Sequence, residues 1–241
     1  MIEANYRFKI LNVENPVECR LLERMNRFVV MVRLHGEQYK AWINNTGRLR
    51  QFLVSGRKAY CLSIDKGHKT DFRLFAIEDG DSAAVIDTQL QMKAWEKSLE
   101  MGLIPWLQGC RILKRNARLG DSLIDYLLEC QGQLVFLEAK SAVLRESDYA
   151  MYPDCPSARG RRHIRELTNH VRQGGRAIIM FIAALPDVRA FRPNRLADPE
   201  LCGLLVEAQR AGVTLKSVGM AYCPEGAYIY LFSPDLKVEL S

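Results

Sequence analysis

The stretch "FLEAKSAVL", residues 136–144, has the apolar density of a buried strand, yet Glu138 and Lys140 sit in its middle. Side chains on a strand alternate faces, so residues 138 and 140 share one. A carboxylate and an ammonium therefore stand together on one side of an apolar ribbon. Upstream, "DSLIDYLLEC", 121–130, reads as a second strand, and "QG", 131–132, separates the two. If these two residues form the turn, paired positions place Asp125 directly opposite Glu138, with Cβ atoms about 4.5–5.5 Å apart. Two carboxylates at that separation repel unless a cation lies between them. A hard divalent ion such as Mg²⁺ or Mn²⁺, held by one or two carboxylates plus phosphate oxygens, meets that need. Lys140, two residues along the same face, could assist an attacking water or offset charge on a phosphate. A half-solvated sheet face would also accept the same residues.

Around this hairpin the expected order is α/β. A helix at 88–102, with Leu90, Ala94, Lys97 and Met101 as one row, precedes three strands, "CRILKRNA", "DSLIDYLLEC" and "QLVFLEAKSAVL". A helix over "SARGRRHIRELTNHVRQGG" and the strand "RAIIMFIAA" follow, then a helix near 199–211 and terminal strands near 215–232. In the 157–175 helix Gly160, Ile164, Leu167 and Val171 form the expected buried stripe, with Arg159, His163, Glu166 and His170 at its margin. Arg161, Arg165 and Arg172 point outward.

Residues 5 to about 87 have a different texture: short strand-like runs, including "CRLLERMN", "RFVVMVRL", "NNTGRLRQFL" and "RKAYCLSI", broken by turn signals such as the hairpin turn "RLHGEQ" and the loop "NNTG". This suggests a small β-barrel. It also holds the charge excess, since residues 1–80 carry 14 Lys and Arg against 9 Asp and Glu, and the rest 20 against 19. A polyanionic partner suits that distribution. The longest apolar run, "AIIMFIAAL", is far short of the ~20 residues of a membrane span, and "MIEANYRFKI" lacks a leader's apolar core, so the expected location is the cytoplasm. Seven scattered cysteines without a C-x-x-C pair argue for reduced, mostly buried thiols and against a disulfide framework or zinc site.

With these pieces in view the chain resembles the sugar fermentation stimulation protein A (SfsA) family. "RMNRFVVMV", "NNTGRL", "SLIDYLL", "FLEAKS" and above all "YPDCPSARGRRHIREL" carry the likeness, followed by "GGRAIIMF" and "LLVEAQRAGV". The resemblance implies an α+β two-domain fold. An N-terminal OB-like β-barrel (1–85) that binds nucleic acid would precede a PD-(D/E)xK nuclease-like αβββαβ domain (86–241). It further implies DNA binding with divalent-metal-dependent nuclease activity, the metal on Asp125 and Glu138 and catalysis shared with Lys140. Arg159, Gly160 and His163 match the family's Arg-Gly and His positions. On this reading Arg24, Arg27, Lys40, Arg48, Asn45 and Thr46 meet nucleic acid from the barrel, and Arg159 and His163 from the helix. The partner is DNA, with RNA an alternative, and the oligomeric state stays open. Gln91 and Met92 stand where the family shows Pro-Asn, and Asn116 where it often has an acid; Leu123 and Tyr126 depart from an S-R-x-D-F element. Glu96 or Glu100 could replace a missing acid. A DNA-binding regulatory protein with an inactive nuclease fold is the competing expectation.

Overall fold

The computed structural model describes residues 7–64 and 69–240; residues 1–6, part of the segment read for a leader, lie outside it. The first strand, β1 (Phe8–Asn12), is followed by β2 (Val17–Arg24), β3 (Val29–Leu34), β4 (Glu37–Trp42), β5 (Lys58–Ser63) and β6 (Phe72–Asp79). β2, β3 and β4 alternate buried apolar and more exposed residues, whereas β5 and β6 carry continuous buried runs; β2 pairs on one edge with β3 and on the other with β5. The circuit continues from β3 to β4, from β4 in parallel to β6, and from β6 back to β5. This closed five-stranded barrel leaves no free edge. "RLHGEQ" makes the β3–β4 hairpin, with positive φ at His35 and Gly36.

Two expectations fail here. Residues 44–47 form the loop expected of "NNTG", but no strand follows over "RLRQFL", and the loop's polar groups bond across to other elements. And β1 precedes the barrel in sequence but pairs with the last strand of the chain, so it belongs to the other sheet.

β7 (Ser82–Val85) leaves the barrel and leads into α1 (Thr88–Glu100), whose N-cap Asp87 accepts from the Leu90 N–H. The buried face of α1 is Gln91, Ala94, Trp95 and Ser98 rather than the row containing Lys97 and Met101. Gln91 is tolerated inside because its amide donates to the Val85 carbonyl at 2.6 Å. Then come β8 (Cys110–Leu119), β9 (Ser122–Cys130), β10 (Gln133–Ala142), β11 (Leu144–Glu146), β12 (Tyr149–Tyr152), α2 (Ala158–Arg172), β13 (Ala177–Ala183), β14 (Ala190–Pro193), α3 (Pro199–Arg210), β15 (Thr214–Cys223) and β16 (Tyr228–Val238). β13 is buried along its whole length, as a central strand must be, between β10 and β15, both parallel to it. β9 and then β8 extend the β10 side antiparallel, so β8 is an edge. β7 also touches β15, tying barrel to sheet. No helix among the described residues is long and apolar enough to cross a membrane.

The cysteines depart from expectation as well. Cys110 and Cys130 form a disulfide, because the β8–β9 register sets them directly opposite with Cα atoms 4.1 Å apart. Cys19, Cys61 and Cys202 are free and buried; Cys155 and Cys223 are free and half-buried.

Candidate active site between barrel and sheet

The β9–β10 hairpin turns at Gln131 and Gly132, both at positive φ, and its register runs from Gln133 opposite Cys130 to Leu137 opposite Tyr126. Beyond that pair the two carboxylates take over the cross-strand bonding. The Ala139 N–H donates to Asp125 Oδ2 at 2.9 Å, and the Asp125 N–H to Glu138 Oε2 at 3.2 Å. Asp125 and Glu138 thus share the face expected from the turn, each oriented by the other's strand.

Glu138 is 3% exposed and Lys140 8%, deep enough that unpaired charges would be costly. Lys140 Nζ donates to Glu138 Oε1 at 2.5 Å, and His163 Nδ1 lies 2.6 Å from the same oxygen. Arg159 Nε approaches His163 Nε2 at 3.4 Å, which leaves Nε2 as the acceptor and Nδ1–H as the donor to Glu138. Burial pushes Glu138 up, but Lys140 and then His163 outweigh it and hold the carboxyl down near about 2. Burial also tends to discharge Lys140, yet Glu138 keeps its ammonium above the usual range. Asp125 is raised to about 6, first by burial and then by the charge of Glu138. Lys140 pairs with Glu138, and among the described residues no cation forms an ion pair with Asp125.

These groups line a cleft of about 380 Å³ between the C-terminal sheet and the barrel. The barrel contributes Arg27, Asn45 and Thr46, and the helix end contributes Arg159. So the structure gathers Asp125, Glu138, Lys140, Arg27, Asn45, Thr46 and Arg159 around one space. Ser141, in the same wall, has a buried hydroxyl without a hydrogen-bond partner, and nothing in its sequence setting flags it.

Four expected contacts are placed otherwise. Arg24 commits its guanidinium to the carbonyls of Asn26, Arg27, Gly47 and Arg48, so it staples two loops together. Lys40 and Arg48 are exposed and lie outside the cleft lining. His163, 1% exposed, holds Glu138 rather than a phosphate; it and Thr168 join Gly160, Ile164 and Leu167 on the buried face of α2, while Val171 is half-buried against the core. The loop residues are structural first. Asn44 bonds Asp87 and the Thr88 N–H, Asn45 bonds the Ile86 carbonyl and the Gly47 N–H, and Leu49 N–H donates to Asp154. A Cβ at Gly47 would lie 2.7 Å from Asp154 Oδ2, so a side chain there would have to displace the carboxylate that accepts from Leu49 N–H.

Neither helix acid joins the site. Glu96 is bound by Arg115 and by the Tyr126 hydroxyl, each at 2.8 Å, and Tyr126, next to Asp125 on β9, faces the other side of the sheet. Glu100 pairs with Lys97. Among the described residues no three His, Cys, Asp or Glu side chains converge as a preformed metal centre. The donor set that does exist, two carboxylates and their uncompensated charge, suits a hard cation that keeps most of its ligands from water or substrate.

Residues 22–86 match the family model described as the SfsA N-terminal OB domain, and residues 89–226 match the one described as the sugar fermentation stimulation protein RE domain. The chain is 49% identical over 232 residues to a sugar fermentation stimulation protein homolog of Pyrococcus furiosus, covering 96% of this chain and all of that one. It is 44% identical to the homolog of Archaeoglobus fulgidus, over 95% of this chain and 99% of the relative. A solved structure of Pyrococcus furiosus SfsA in complex with Ca²⁺ superposes with a TM-score of 0.92 at 47% identity, covering 96% of this chain and 99% of that one. The chain belongs to the sugar fermentation stimulation protein (SfsA) family.

Proposed function

We propose that this SfsA family member is a cytoplasmic DNA-binding protein that hydrolyses phosphodiester bonds with a divalent cation, in the manner of PD-(D/E)xK nucleases. The observation that carries the reading is the pairing of Asp125 with Glu138 beside buried Lys140, on the wall of a cleft whose rim bears Arg27 and Arg159. The Ca²⁺ complex of the Pyrococcus furiosus relative supports a hard divalent ion, for which Mg²⁺ or Mn²⁺ would serve in catalysis. Asp125 and Glu138 would hold it; such an ion supplies Lewis acidity and a more acidic bound water.

The rest of the work falls to the chain itself. His163 fixes the rotamer of Glu138 through Oε1, and the Ala139 N–H fixes Asp125. Lys140, kept charged by Glu138, would offset negative charge that grows on a phosphate in the transition state. Arg27 and Arg159 position the backbone of the substrate.

The competing reading, a DNA-binding regulator without cleavage, draws on one observation: Glu96 is spent on Arg115 and Tyr126, so no helix acid supplements the pair. Mn²⁺ titration by calorimetry and plasmid nicking, each on wild type and Asp125→Asn, decide between them. The nuclease reading expects wild-type nicking that needs Mg²⁺ or Mn²⁺, with both binding and nicking weakened in the variant. DNA binding without nicking under any metal leaves the regulator.

A further inference from the structure

We propose that the open sheet face of β8 and β9 is a second nucleic-acid contact surface. It would hold the phosphate backbone on the flank of Asp125 away from Glu138, and the inference rests on the DNA-binding part of the reading above. β9 carries Asp125 and has β10, with Glu138 and Lys140, on one side and the edge strand β8 on the other. Directly opposed residues of an antiparallel pair share a face. Lys114 is opposite Leu127 and Arg118 opposite Leu123, so both cations lie on the face of Asp125, one on either side of it along the strand. At about 3.4 Å per residue, each partner is about 7 Å from Asp125. Away from the turn that face is open, with Leu123 52% exposed and Lys114 and Arg118 exposed; at the turn Glu166 of α2 lies beside Gly120, whose carbonyl accepts from Arg118 Nε at 3.3 Å. Arg162 of α2 reaches the same hairpin, with Nε donating to Ser122 Oγ at 3.2 Å.

The pairing of charges says what covers this face. On α2, Arg161, Arg165 and Arg172 point to α3 and are all neutralised there, by Asp198 and Glu200, by Glu200, and by Glu207. On β8, Arg111 and Arg115 are matched by Glu129 and Glu96. Among the described residues Lys114, Arg118 and Arg162 have no carboxylate partner. Within β8 and α2, then, the cations without an ion pair among the described residues are Lys114, Arg118, Arg159 and Arg162, which lie on the side of these two elements nearest the acids. An unpaired basic strip bordered by exposed leucines, continuous with the candidate active site, complements a polyanion with apolar bases.

The test compares two charge-matched variants, Lys114→Gln/Arg118→Gln and Arg165→Gln/Arg172→Gln, by anisotropy of a labelled 30-nucleotide strand and its duplex in EDTA. Cleavage plays no part in the readout, so a failed nuclease reading would not be mistaken for a failure of this surface. Melting curves of both variants confirm folding. Losing two phosphate contacts lowers the slope of log K against log salt by about 1.4 for single strands and about 1.8 for duplex, roughly 25- to 60-fold in affinity at 0.1 M salt. The expected result is that loss in the β8 variant and a change under threefold in the α2 variant. Equal losses in the two would reduce the effect to net charge and overturn the proposal, as would unchanged binding in the β8 variant.

Discussion

In the 44–49 loop of the barrel the side chains of both asparagines are consumed within the fold. Asn44 and Asn45 satisfy the start of α1 and the end of β7, Arg24 staples the carbonyls of the loop, and Asp154 receives the Leu49 N–H. In β9 and β10 the polar groups also bond one another, but the sum of charges does not close, and Asp125 is left raised to about 6 beside Glu138. Both segments look functional in sequence, being polar residues amid apolar ones. The difference is in the donor and acceptor bookkeeping: a satisfied polar cluster builds structure, and an unbalanced one on a cleft wall awaits a ligand.

The contrast is broken most severely at Lys140. Lys140→Met should lower kcat about 10²- to 10³-fold while leaving DNA affinity nearly intact, because the ammonium acts mainly in the transition state. Single-turnover cleavage alongside anisotropy measures both, and a fall in affinity with turnover preserved would make Lys140 one more phosphate contact.

Arg24→Ala probes the other region. Removing the staple between the 26–27 and 47–48 carbonyls should cost about 1–3 kcal/mol in chemical denaturation, since four acceptors, that of Gly47 partly buried, lose a charged donor. An unchanged denaturation midpoint would return Arg24 to the list of phosphate contacts.

Arg27→Ala should do the reverse, leaving the midpoint in place while the salt slope of DNA binding falls by about 0.7–0.9, because this exposed cation lines the cleft and carries no ion pair among the described residues. The smallest effect is expected at Lys40, exposed on β4 and outside the cleft: Lys40→Ala should change affinity by less than about twofold. A larger loss there would extend the binding surface over the outer wall of the barrel.

Acid conditions sharpen the same distinction for Glu96. Its carboxyl is held below the ordinary range, chiefly by the Arg115 hydrogen bond. A depressed pKa stabilises the fold above the unfolded value, about 4.3, and that contribution is lost as pH falls through the folded one. The acid limb of stability should therefore flatten in Arg115→Gln, followed by melting temperature between pH 3 and 6, whereas a metal-site role for Glu96 would leave that limb as steep as in wild type.

Much of the site was legible because its determinants are local. A two-residue turn at Gln131 and Gly132 sets the register of its own hairpin, and strand alternation then puts Asp125, Glu138 and Lys140 on one face without reference to anything distant. The presence and order of the helices, and a barrel of short strands, follow from periodicity and turn residues encoded within a dozen positions, but the buried face of α1 and the loop over residues 48–53 do not. Tertiary structure decided what depends on segments far apart. It paired β1 with β16, set Cys110 against Cys130, turned Glu96 toward Arg115, and brought His163 onto Glu138. In each of these the local pattern permits several partners of similar propensity. The choice falls to whichever packing buries the most apolar surface while leaving the fewest polar groups unsatisfied, a quantity that belongs to the whole fold and to no stretch of its sequence.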